Sequence, residues 1–256
     1  MWIAKIQNAK DHLAALETEV SAFFSTAPYQ VATRVDPRSR RLIYYIRRAD
    51  APPEKIALLA GDVIQNLRSS LDQLAYQLFI KNLGPTASAR HVYFPIGENL
   101  TDFNSRKSRY TKGMAASARV AIDGVQPYKG GSDILWQLHA LNLIDKHRAL
   151  ITAGSAFRSM DIGAVIWREF RATFPESAVQ NIPFFVRPAD ILFPLAAGSE
   201  LFIDAPDATP DPDIQFRFEI VLNEPGIVDG KPLIETLQSM VDAVESLEPI
   251  FAPELM

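Results

Sequence analysis

The order of periodicities constrains this chain most: helical spacing dominates its first part and strand-like alternation its last. Residues 2 to 24 place Ile3, Ile6, Leu13, Leu16, Val20 and Phe23 three, four or seven apart, which predicts an amphipathic helix ended near Pro28. Tyr29 to Val35 and Leu42 to Arg48 alternate on either side of Asp36-Pro37-Arg38-Ser39, the pattern of a β-hairpin. A long helix over 53 to 82 follows, opened by Pro52-Pro53-Glu54 and closed by Gly84-Pro85, and Ser132-Asp133 caps a third over 132 to 151. Beyond Gly154, residues 159 to 171, 183 to 186, 200 to 205 and 214 to 222 read as strands, and 233 to 251 as a final amphipathic helix. Without βαβ alternation, this order predicts an α+β protein. The expected architecture is an N-terminal helical bundle with a β-hairpin, then an antiparallel sheet and a C-terminal helix that covers it. Residues 85 to 131 read as turn-rich loop, and 1–256 as one continuous unit, helical to 155 and mainly β from 156 to 256.

Function classes are narrowed more by what is missing. With 256 residues, 48% of them hydrophobic, the chain can bury a sizeable core, which sets it apart from disordered chains. No cysteine is present, so disulfides and thiolate chemistry are excluded and a reducing compartment fits. Polar residues interrupt the start of the chain as no signal peptide allows, and no run approaches the roughly 20 apolar residues needed to cross a bilayer. A cytoplasmic location and no membrane partner are expected. The histidines, His12, His91, His139 and His147, lack metal-site spacing; His139 and His147 are about 12 Å apart along a helix. No metal and no cofactor are therefore expected. Nucleophile elbows, Walker loops and dinucleotide fingerprints are absent, and Lys129-Gly130-Gly131-Ser132 reads as an ordinary capped turn.

The net charge of −4 hides a polarity along the chain. Arg34, Arg38, Arg40, Arg41, Arg47 and Arg48 are accompanied by one acid, Asp36, and a second basic group follows at Arg106, Lys107, Arg109 and Lys112. Such asymmetry is either a phosphate-binding footprint or a set of solvated hairpin and loop residues. On the first reading Arg38, Arg40, Arg41, Arg47 and Arg48 track nucleic acid.

Two polar clusters interrupt the apolar helical stripes. On the second helix Ile56, Leu59, Ala60, Val63, Leu67, Leu71, Leu74 and Leu78 share a face; Arg68 borders it, with Asp72 one turn on and Asn66 in the adjoining polar strip. On the third, Asn142 and Asp145 project close to Leu138 and should be inside, Lys146 lies beside Asn142, Arg148 beside Leu141, and His147 points away. Packing of the two faces would make Asp145 a buried partner for Arg68. Such a pair is either a structural tether or a working site.

The segments Asn66-Leu67-Arg68-Ser69-Ser70-Leu71-Asp72 and Leu141-Asn142-Leu143-Ile144-Asp145-Lys146-His147-Arg148, with Phe94-Pro95-Ile96 and Gln126-Pro127-Tyr128 between them, resemble a group of uncharacterised bacterial proteins over about residues 40 to 155. That resemblance implies a bacterial cytoplasmic origin. A looser one is to the HEPN superfamily, helical bundles that often act as RNases through an Arg followed four to six residues later by a His. It puts Arg68 in the Arg place, but the His place falls on Gln73, whose amide cannot transfer a proton. It implies an RNA-directed protein of stress or defence, with metal-independent RNA cleavage if Arg68 stabilises charge and His147 substitutes for the missing His. Two alternatives stand beside it: a non-catalytic module binding a small ligand or a protein, and a structural protein whose buried polar residues fix helix register. A homo-oligomer is compatible with all three.

Overall fold

A computed structural model describes residues 2–147, 153–163, 166, 185–186 and 193–256, the side chains of Lys146 and His147 excepted. The fold is α+β. The chain divides into two compact units, each made of non-contiguous segments: 1–19, 54–152 and 224–256 form the first, and 20–53 with 153–223 the second.

The first unit is helical. Its centre is α2 (Glu54–Leu83), whose stripe Ile56, Ala60, Val63, Leu67, Leu71, Leu74 and Leu78 is buried as its 3.6-residue period requires. Against it packs α5 (Asp133–His147), burying Leu135, Leu138 and Leu141. The approach is close at Gly61, where a Cβ would lie 2.7 Å from an Asp145 carboxylate oxygen. The helix α1 (Trp2–Ser25) contributes its residues up to Glu19 to this unit, with Trp2, Ile6, Leu13 and Leu16 buried. Residues 85 to 131, expected as loop, contain α3 (Leu100–Tyr110) and α4 (Ala116–Val125). The helix α3 buries only Phe103, so it carries no apolar stripe to betray it; what starts it is Asn99, whose side chain caps the Asp102 N–H at 3.0 Å. Glycine is required at Gly97, where a Cβ would sit 2.4 Å from the Phe103 backbone nitrogen.

The final helix of the sequence reading is two, α6 (Leu233–Glu245) and α7 (Glu248–Leu255), with Pro249 in the first turn of the second. Within this unit they pack on α2, α4 and α5, through a stripe of Leu233, Leu237, Met240, Val241 and Val244.

The second unit is mainly β. Strands β1 (Tyr29–Val35) and β2 (Arg41–Ala49) form the expected hairpin, and β5 (Glu200–Pro206) extends it antiparallel in the order β1-β2-β5. The hairpin thus belongs with the later strands. Strand β3 (Ala153–Asp161) pairs antiparallel with β4 (Phe185–Val186) and with β6 (Gln215–Glu224). It starts earlier than the 159 to 171 expected; most of that range past 163, with 183–184, lies outside the described residues. Ile46, Phe157, Met160, Leu195 and Leu201 form the core here. A short β7 (Val228–Pro232) leads into α6. Among the described residues no helix is long and apolar enough to cross a membrane.

Candidate functional site

A pocket of about 420 Å³ in the first unit is walled by α2, α3, α5 and the segment around Phe94. At its base lies Arg68, 7% exposed, all three of whose guanidinium nitrogens have acceptors. Nη1 donates to Asp72 Oδ1 at 2.6 Å, Nη2 to the Phe94 carbonyl at 3.2 Å and Nε to His139 Nδ1 at 3.2 Å. Asp72 also accepts the Phe94 N–H at 3.1 Å, so one ion pair clamps the Phe94 segment to α2. The expected partner Asp145 is not Arg68's partner: it is half-buried against Gly61, seven residues earlier on α2 and so roughly 10 Å along the axis. Asp72 wins because it shares a helix face with Arg68 one turn on.

His139 reaches the pocket from α5 and meets an arginine on each side. Arg106 of α3 places Nη1 3.4 Å from His139 Nε2, while its Nε donates to Asp102 Oδ2 at 2.8 Å. Guanidinium groups only donate, and a neutral imidazole accepts on one nitrogen alone. With Nδ1 taken by Arg68, the proton belongs on Nε2, and an N–H then faces the Arg106 N–H. Burial by itself would raise the Asp102 carboxyl; the Glu98 N–H at 2.9 Å and the Arg106 guanidinium outweigh it and hold Asp102 below its ordinary value.

The mouth is aromatic. Tyr93, 45% exposed, and Tyr110 meet edge to face with ring centres 5.4 Å apart, and the Arg109 guanidinium lies 4.5 Å over the Tyr110 ring. Deeper in, Asn142 is only 2% exposed, and its amide oxygen has no hydrogen-bond partner among the described residues.

Of the residues singled out from sequence, Arg68, Asp72 and Asn142 meet in this pocket. Asn66 stands apart, accepting from Lys5 at 3.3 Å and donating to the Asp62 carbonyl. The side chains of Lys146 and His147, and all of Arg148, lie outside the described residues. The hairpin arginines are exposed, but Arg40 pairs with Asp207 at 2.6 Å, Arg48 with Asp50 at 2.6 Å, and Arg41 donates to the Asp204 and Ile203 carbonyls. Arg38 and Arg47 have no side-chain partner among the described residues. The Gly130-Gly131 turn uses its own N–H groups, Gly130 donating to Asp133 at 2.7 Å and Gly131 to the Tyr128 carbonyl. Sequence reasoning missed His139, Tyr93 and Tyr110, and saw Arg106 only as part of a basic group. Asn99 followed by Asp102 was the available signal for the helix that delivers two of them.

Among the described residues no group of three His, Asp or Glu could hold a metal ion. No protein-family model, curated protein or solved structure matches the chain.

Proposed function

We propose that this is an RNA-directed protein whose pocket seats a phosphodiester of a single strand between Arg106 and His139. The observation that carries the reading is the approach of Arg106 Nη1 to His139 Nε2, 3.4 Å apart, in a pocket lined by Tyr93 and Tyr110. With its proton on Nε2, His139 and the Arg106 guanidinium can both donate to one phosphate oxygen seated between them. Tyr93 and Tyr110 at the mouth suit base stacking, the usual way an unpaired strand is held. Arg68 acts as a positioning residue, since its bond to Nδ1 selects the imidazole tautomer that donates from Nε2.

In this tautomer His139 stabilises negative charge and does not accept a proton at Nε2, so binding is the primary role. Cleavage at the same site would need His139 to release Arg68 and take the proton of a ribose 2′-hydroxyl at Nε2, the role the sequence reading gave to His147. The test is fluorescence anisotropy with a labelled single-stranded RNA, repeated over a salt series and beside the DNA of the same sequence. Arg106→Ala should weaken binding about tenfold and reduce the log-log salt slope by about 0.7, the share of one phosphate contact on a single strand. Replacing Arg38 and Arg47 by Ser should change little. No binding by the wild type at low salt, or an unchanged Arg106→Ala, overturns the proposal. Product analysis of the same RNA in chelator, with His139→Ala as control, reads the cleavage chemistry.

A further inference from the structure

We propose that the pocket mouth holds one nucleotide of a single strand, its base stacked on Tyr93 and its phosphate on Arg109; the inference rests on the reading of this pocket as an RNA site, and not on the contact between Arg106 and His139. Tyr93 is 45% exposed, and its contact with Tyr110 covers at most one face of the ring. An exposed tyrosine is ordinary by itself. What sets this one apart is how it is held. The peptide N–H that links it to Phe94 donates to Asp72, and the Phe94 carbonyl accepts from the buried Arg68. Both backbone groups of the adjoining residue are thus tied to one ion pair on α2, so the ring is carried by a fixed piece of chain. A platform fixed before its ligand arrives loses little conformational freedom on binding, which is how a tyrosine contributes affinity at an exposed position.

Arg109 supplies the charge. Its guanidinium lies 4.5 Å over the Tyr110 ring, donates from Nη2 to the Tyr110 hydroxyl, and has no carboxylate partner among the described residues. A guanidinium carries donors on all three nitrogens, so this one keeps N–H groups for an anion. Arg106 and Lys107 on the same helix pair with Asp102 and Asp123, whereas an anion reaches Arg109 without breaking an ion pair. Tyr110 touches both the open ring and the cation, so a planar group on the one and an anion on the other are set apart by a single side chain. A ribose sets a base apart from its phosphate in the same way. Stacking of this kind tolerates every base, because each has a π face, and no sequence preference is expected from Tyr93.

The experiment is fluorescence anisotropy of the full chain with labelled hexauridylate and hexaadenylate RNA, with unlabelled UMP and AMP as competitors. Tyr93→Ala should weaken both RNAs at least about fivefold, the lower end of what one stacked base contributes, and Tyr93→Phe, which keeps the ring, should recover most of that loss. Arg109→Gln should reduce the log-log salt slope by about 0.7, and Arg109→Lys should restore it. Thermal melts matching the wild type establish that these variants are folded. Tyr93→Ala within twofold of the wild type, or Tyr93→Phe as weak as Tyr93→Ala, overturns the stacking; a loss in Arg106→Ala on the same RNAs then leaves the reading of the inner pocket standing. An unchanged slope in Arg109→Gln overturns the phosphate contact. Mononucleotides that compete as well as the hexanucleotides overturn the inference too, because the mouth then takes a free nucleotide and no strand. Absence of any binding by the wild type removes it together with the RNA reading.

Discussion

Replacing Arg68 by Met keeps most of the buried stem and removes the guanidinium, which isolates what the polar contacts contribute. Three acceptors lose their donor: the Asp72 carboxylate, the Phe94 carbonyl and His139 Nδ1. Stranding a fully buried carboxylate costs about 3 to 5 kcal/mol, but the Asp72 side chain is 32% exposed and keeps the Phe94 N–H, so water recovers part of the loss. A hydrogen bond to a charged group contributes about 1.5 to 3 kcal/mol, and discounting for that exposure leaves the lower end. An orphaned Phe94 carbonyl adds about 1 kcal/mol. The expected destabilisation is therefore about 2 to 3 kcal/mol, a fall in melting temperature of about 4 to 12 °C for a chain of this size. Differential scanning calorimetry of wild type, Arg68→Met, Asp72→Asn and the double variant should give a coupling of about 1.5 kcal/mol between the two positions. A melting temperature for Arg68→Met within a degree of wild type, or no coupling, would refute the clamp.

Gly97→Ala should destabilise the first unit by about 3 kcal/mol or more in urea melts, because the clash is with backbone and not with a side chain able to move. Asn99→Ala should cost about 1 kcal/mol by the same assay, since it removes the cap of α3. Asp102 sits below its ordinary value of 3.8 in the folded chain, so its contribution is present above that value and lost as pH falls through the lower folded one. The stability gap between wild type and Asp102→Asn should therefore hold from pH 7 to about 5 and shrink in more acidic urea melts; a gap independent of pH would contradict the assignment.

Much of this architecture was written in local pattern. The stripes of α1, α2, α5 and α6 and the alternation of β1 and β2 identify themselves, because burial on one face imposes a period that composition then reflects. Short helices escape that logic: α3 buries Phe103 alone and α4 only Ala118 and Ile122, too few to mark a period. Nor could periodicity say that the hairpin pairs with β5, more than a hundred residues later, or which helices α6 and α7 pack on. The candidate site shows the same division. Sequence placed Arg68 at the border of one buried face and Asn142 inside another, but Asp72 and Asp145 met the criteria for a partner equally well. Tertiary structure decided between them through the offset of α5 along α2, which sets Asp145 against Gly61 and turns His139 toward Arg68. A helical period fixes the direction of a side chain around its axis and carries no information about the register of one helix against another.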